Sequence, residues 1–158
     1  MNIEYNRKLQ QHLAPVLKAV GYRKDKATWR RVQDEAICVF NIQGSQFGPT
    51  LFINLAVYFR ALGTDIKPLE CKCHLRARLD SIVPDAARLV RLLDFALING
   101  EDIAEDVRYP EIRLAVEQYA LPWLSCYSTL DHARLNNPEG RFWVVSQLQE
   151  YLAHTPTR

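Results

Sequence analysis

The chain has 158 residues, 48% of them hydrophobic and 24% charged, and a formal net charge of +2. This fits one globular domain, or at most two very small ones, and excludes general disorder, while six Gly and eight Pro exclude a collagen-like or linker-rich chain. A balance so close to neutral also argues against a dedicated nucleic-acid binder.

The first residues, Met1 to Lys8, contain no apolar run of the kind that opens a secretory signal. Tyr5, Leu9, Leu13, Val16, Leu17 and Val20 recur at helical spacing, and Gly21 stands where a helix-ending glycine belongs. Pro15 conflicts with an unbroken helix and marks a kink or the start of a second helix. The period then changes. Ala27–Val32, Ile37–Gln43 and Leu51–Arg60 are rich in β-branched and aromatic residues and are joined by short turn-like stretches, which predicts an antiparallel meander. In the third run Leu51, Ile53, Leu55, Val57 and Phe59 share one face, opposite Phe52, Asn54, Ala56, Tyr58 and Arg60. After a loop, Cys71, Cys73, Leu75, Ala77 and Leu79 alternate with Lys72, His74, Arg76, Arg78 and Asp80, which predicts a fourth strand.

From Pro84 onward the pattern is helical. Leu89, Leu92, Leu93, Ala96 and Leu97 form one stripe, stopped by Gly100. Glu101–Arg108 reads as an acidic connection, and Pro110 opens a second helix that ends at Leu121-Pro122-Trp123. A short helix capped by Ser128 or Thr129 and a turn at Asn136–Gly140 follow. A last helix is expected from about Arg141 to Ala153, with Phe142, Val145, Leu148 and Leu152 inward. The expected architecture is a single α+β domain over residues 1–158. It has an N-terminal helix, an antiparallel sheet of about four strands, and a helical C-terminal half packed on one sheet face.

Charge divides unevenly along this order. Residues 1–80 carry 13 Lys and Arg against 7 Asp and Glu, a net of +6; the remainder carries 7 Arg, no Lys and 11 Asp and Glu, a net of −4. Such a division marks either an internal seam between the halves or two separate surfaces.

The row Lys72, His74, Arg76 and Arg78, joined by Arg60 from the third strand, is the sharpest candidate site. Its donors suit carboxylates or phosphates, though the same row also protects a sheet from edge-to-edge pairing. Asn41, Gln43 and Asn54 are polar positions in otherwise apolar strands and either line a pocket on the sheet or face solvent. Cys71, Cys73 and His74 have metal-ligand chemistry, but strand geometry puts the histidine opposite the cysteines and no second chelating pair exists, so no metal is expected. No phosphate loop, His-Glu-x-x-His or Gly-x-Ser-x-Gly occurs. Trp123 and Trp143, large apolar groups near helix ends, read as core plugs if buried and as partner anchors if exposed.

Leu13–Lys18, Gly21-Tyr22-Arg23-Lys24, Thr28–Arg31, Phe40–Gln43, Ser45–Gly48, Phe52–Val57, Cys73–Leu79 and Leu121-Pro122-Trp123, in this order, resemble the bacterial proteins catalogued as domain of unknown function 4304. The resemblance runs over about residues 9–125. It implies an α+β domain and no established activity, cofactor or catalytic residue.

The expectation is therefore a small cytoplasmic binding module with no cofactor, no membrane span and no chemistry of its own. A protein partner is preferred over nucleic acid or another polyanion on the basic strand. An enzyme with a pocket near Asn41, Gln43, Asn54 and Arg78 is the third reading. The oligomeric state is not legible.

Overall fold

The computed structural model describes residues 2–96 and 102–154. Its centre is a six-stranded antiparallel meander whose strands pair strictly in chain order, β1 to β6. The strands are β1 (Arg23–Asp25), β2 (Thr28–Val32), β3 (Ala36–Gly44), β4 (Leu51–Phe59), β5 (Leu75–Arg78) and β6 (Trp143–Val144). The expected four strands are present, extended by β1 and β6 at the two edges.

Helix α1 (Asn2–Ala19) lays Leu9, Leu13 and Leu17 on the sheet, each with no exposed surface. It is a single helix: Pro15 and the preceding turn at Gln11 are exposed, so the missing donor costs no buried partner. Gly21, at φ +91°, reverses the chain after it, with the Gly21 and Tyr22 N–H groups closing on Lys18 and Leu17 carbonyls. Alternation sends Trp29 of β2, Cys38, Phe40 and Ile42 of β3, and Leu51, Ile53, Leu55, Val57 and Phe59 of β4 to the same side, where α2 (Ala86–Leu92), α3 (Glu105–Ala115), α4 (Leu121–Cys126) and α6 (Ser146–His154) complete the core.

The second half departs from its expected boundaries in four places. Helix α2 stops at Leu92 because Leu93, Asp94 and Phe95 turn back to β4: Leu51 N–H donates to the Leu93 carbonyl and Phe95 N–H to that of Pro49. Leu97 and Gly100 lie outside the described residues, and Ala96 is exposed. Helix α3 begins at Glu105, so Glu105 and Asp106 of the expected acidic connection are in its first turn, where carboxylates suit the helix dipole, and Pro110 lies inside it; Glu101 lies outside the described residues. That helix does not end at Pro122. It widens into a π turn over Val116–Ala120, in which Leu121 N–H donates to the Val116 carbonyl, and continues as α4; the wider turn absorbs the donor that Pro122 lacks. Finally, Trp143 and Val144 extend as β6 against Arg76 and Leu75 before α6 starts. Helix α5 (Leu130–Leu135) is capped by Thr129, which accepts from His132 N–H.

Trp123 is buried in a cluster with Tyr127 and Phe142, at ring centroid distances of 5.0 and 5.4 Å, so it is a core plug. Among the described residues, no helix is long and apolar enough to cross a membrane.

Candidate functional site

The helices cover the face of the sheet that carries Leu51, Ile53 and Leu55. The opposite face is divided. One end is roofed by the excursion between β4 and β5, which buries Ile37, Val39, Ala56, Tyr58 and Cys73 as a second small core. The other end is open.

His74 closes the roof. It is 5% exposed, and its Nδ1 accepts the Phe59 N–H at 2.9 Å while its ring also bonds the Leu62 carbonyl. Burial lowers its pKa, opposed by that bond to Leu62, so the imidazole is held neutral. The Tyr58 ring lies against it at 4.5 Å. Burial, with Glu70 adding in the same direction, pushes the Cys73 thiol up to about 12, and its Sγ donates to the Leu69 carbonyl. Both are inert packing groups.

The expected basic row therefore breaks up. Residues Glu70–Lys72 form a 3-10 turn and not a strand, leaving Lys72 and Cys71 exposed on the excursion while Cys73 turns inward. Arg60 leaves β4 in another 3-10 turn and donates to the Gln33 and Asp34 carbonyls at the far end of the sheet. The sheet face keeps only Arg76 and Arg78.

These two arginines come together with the three amides. Strand register places Asn54 beside both Asn41 and Arg78, Gln43 beside Phe52, and Arg76 beside Trp143. Gln43, Asn54, Arg76 and Arg78 line an open depression of about 570 Å³, rimmed by Glu70, Asp80, Arg141 and Trp143. Asn41 stands behind Asn54.

The amides form a ladder with one direction. Asn41 Nδ2 donates to the Ala27 carbonyl and to Thr28 Oγ1, at 3.4 and 3.0 Å. A carbonyl only accepts, so Asn41 must turn its own oxygen toward Asn54. Asn54 Nδ2 then donates to Asn41 Oδ1 at 3.2 Å and to Gln43 Oε1 at 2.9 Å, using both its hydrogens. Among the described residues this leaves Asn54 Oδ1 with no donor and Gln43 Nε2 with no acceptor. The ladder thus ends in one acceptor and one donor, on two residues that line the depression.

Each arginine is tied twice. Arg76 makes a two-pronged pair with Glu70 at 2.8 and 3.3 Å and lies over the Trp143 ring at 6.0 Å. Arg78 bonds Asp80 at 3.0 Å and stacks on Phe52 at 4.0 Å. Trp143 itself is 65% exposed, and Arg141 makes no ion pair among the described residues. Helical periodicity placed Trp143 on the last helix because Phe142, Val145 and Leu148 satisfy helical spacing. The signal for a strand is local: the run Phe142-Trp143-Val144-Val145, one residue after the Asn-Asn-Pro-Glu-Gly turn.

Among the described residues no group of three or more His, Cys, Asp or Glu is placed to hold a metal ion. No curated protein and no solved structure matches the chain. One family model does, described as "Domain of unknown function (DUF4304)", over residues 13–126. That span takes in the C-terminal part of α1, the chain on through α4 and all five polar residues of the open face, though not Arg141 to Trp143. With well over half of its length matched, the chain belongs to the DUF4304 family.

Proposed function

We propose that the chain is a non-catalytic, cytoplasmic interaction module that docks a protein partner on the open half of its sheet. The observation that carries this reading is the end of the amide ladder. Asn54 Oδ1 and Gln43 Nε2 offer one acceptor and one donor, the complement of a primary side-chain amide or of the N–H and C=O of one residue in an extended strand. Each bond made there adds a net of about 0.5–1.5 kcal/mol. Trp143 beside them is the type of exposed aromatic that anchors interfaces, and arginines stacked on aromatic rings are enriched in the same setting.

Two further features favour this reading over its rivals. The carboxylates on the rim, Glu70 and Asp80, are already engaged by Arg76 and Arg78, so neither stands free as a general base. The same pairs offset the positive charge that a polyanion would need, which weakens the nucleic-acid reading.

The test is recovery of partners from the native host with wild-type protein and with Gln43→Leu/Trp143→Ala. Both residues are exposed, and an unchanged circular dichroism spectrum is the check that the variant folds. Loss of a protein partner in the variant supports the proposal, and equal recovery contradicts it. A gel shift on DNA or RNA that weakens steeply with salt, and is lost in Arg76→Glu/Arg78→Glu, would replace it with the polyanion reading.

A further inference from the structure

A second opening lies on the helix-covered side of the sheet, where the C-terminal end of α1 meets β2 and the start of α4. It encloses about 650 Å³, within the range of small-molecule sites. Its walls are Pro15, Val16, Ala19 and Val20 on one side and Leu121 and Pro122 on the other. Both prolines add ring carbons to these walls, and the polar lining is confined to Arg31, Gln33, Glu117, Ser125 and the Tyr22 side chain.

Arg31 enters this apolar space. Alternation along β2 puts it on the same side as Trp29, and register sets it opposite Cys38. Its stem crosses Gly21 closely: a β-carbon there would meet Arg31 Nε at 3.7 Å and Cδ at 3.9 Å. The guanidinium is near enough to Tyr22 and Cys38 to favour the ionised form of each, although burial dominates both and holds the Cys38 thiol up at about 11.

What distinguishes Arg31 is its lack of a partner. Arg30, Arg76, Arg88, Arg108 and Arg134 are also buried or half-buried, and each donates hydrogen bonds. Arg31 makes no hydrogen bond or ion pair among the described residues, and neither does the side-chain amide of Gln33 beside it. The single acid on the lining, Glu117, stands on the π turn with Arg113 at 3.9 Å on its own helix. A half-buried, unpaired guanidinium at the base of an apolar slot has one natural complement.

The geometry points to a binding site for a small apolar monocarboxylate, its carboxylate on Arg31 and its hydrocarbon body between α1 and α4. Glu117 sets the charge limit: a multiply charged anion such as a nucleotide would meet it and leave the apolar walls unfilled. The site is separate from the amide face and does not depend on the protein-docking reading.

Octanoate is the probe, titrated into the full chain by calorimetry and by amide chemical shifts. Saturable binding is expected, with shifts at Gly21, Tyr22 and Arg31. Arg31→Gln should weaken it at least about tenfold, the loss of one charge-assisted contact, with an unchanged Tm, since no internal bond is removed. Octylamine, equally apolar and oppositely charged, should not compete. The proposal is overturned by absence of saturable binding, by equal affinity for Arg31→Gln, by octylamine binding as well as octanoate, or by shifts confined to the amide face. A second copy of the chain seated in the groove, seen as a dimer by sedimentation without octanoate, overturns it too.

Discussion

Asn54 lies on the polar side of β4 and is nevertheless only 5% exposed, because Asn41 and Gln43 flank it. Its position was legible from strand alternation; its burial was not, since that depends on two neighbours whose side chains lean over it. Replacing it with Leu keeps the volume but removes the donor for both neighbours, and should cost about 1–3 kcal/mol in urea unfolding. Gly63 is a sharper case. Its backbone is extended at φ −177°, so no special conformation is needed. A β-carbon there would instead fall on Tyr58 Oη and within 2.9 Å of Cζ. Gly63→Ala should therefore displace the hydroxyl that accepts Asp65 N–H at 3.0 Å, costing about 1–3 kcal/mol. Gly48→Ala, with nothing near the added carbon, serves as the neutral control. Arg108 was read as part of an acidic connection. It is 2% exposed and ties the end of α2 down by donating to the Leu92 and Asp94 carbonyls, with Asp102 as its ion partner and Phe95 beneath it at 4.4 Å. Arg108→Ala strands those carbonyls and should lower stability by about 2–4 kcal/mol.

The excursion between β4 and β5 depends on a single buried imidazole. His74 accepts from Phe59 N–H and must be neutral to do so, and burial lowers its pKa below the ordinary value near 6.5. The unfolded chain consequently binds this proton more readily than the folded one. The stabilisation is complete above about pH 6.5 and is lost as pH falls through the lowered folded value. Urea midpoints at pH 7.5 and 5.5 check this: the wild type should lose stability between them by more than His74→Leu, which has no group to titrate. Equal losses would show that the imidazole is not responsible. The helices and central strands were legible because their apolar periods are long. The edges were not. Alternation of Cys71 to Asp80 reads as one long strand, but two 3-10 turns cut it to Leu75–Arg78. Trp143 and Val144 pair with residues some seventy positions earlier, and such pairing leaves only a weak local trace.

The two charge halves do not neutralise each other. Of the ion pairs among the described residues, Lys8–Glu105 joins them, while Arg76–Glu70 and Arg78–Asp80 lie within the first half and Arg88–Glu111 and Arg108–Asp102 within the second. Lys8 and Glu105 are solvent-facing, each shifting the other's pKa toward its charged form, and exposed pairs contribute little. Lys8→Ala should leave the urea midpoint unchanged within error. The halves are held by the apolar seam of α1, β3 and β4 against the helices, which composition alone could not distinguish from an electrostatic one. One sheet face is spent on that seam and half of the other on the roof, which leaves the amide face as an open polar site built on strands. The most direct test of its role is a photo-crosslinking residue placed at exposed Arg141 on the rim, which leaves Trp143 in place, compared with one at exposed Arg7 on α1, in cells of the native host. A discrete protein adduct at position 141 that is absent at position 7 and lost with Gln43→Leu is the predicted result. No adduct above the Arg7 control, or one that persists with Gln43→Leu, would contradict the account.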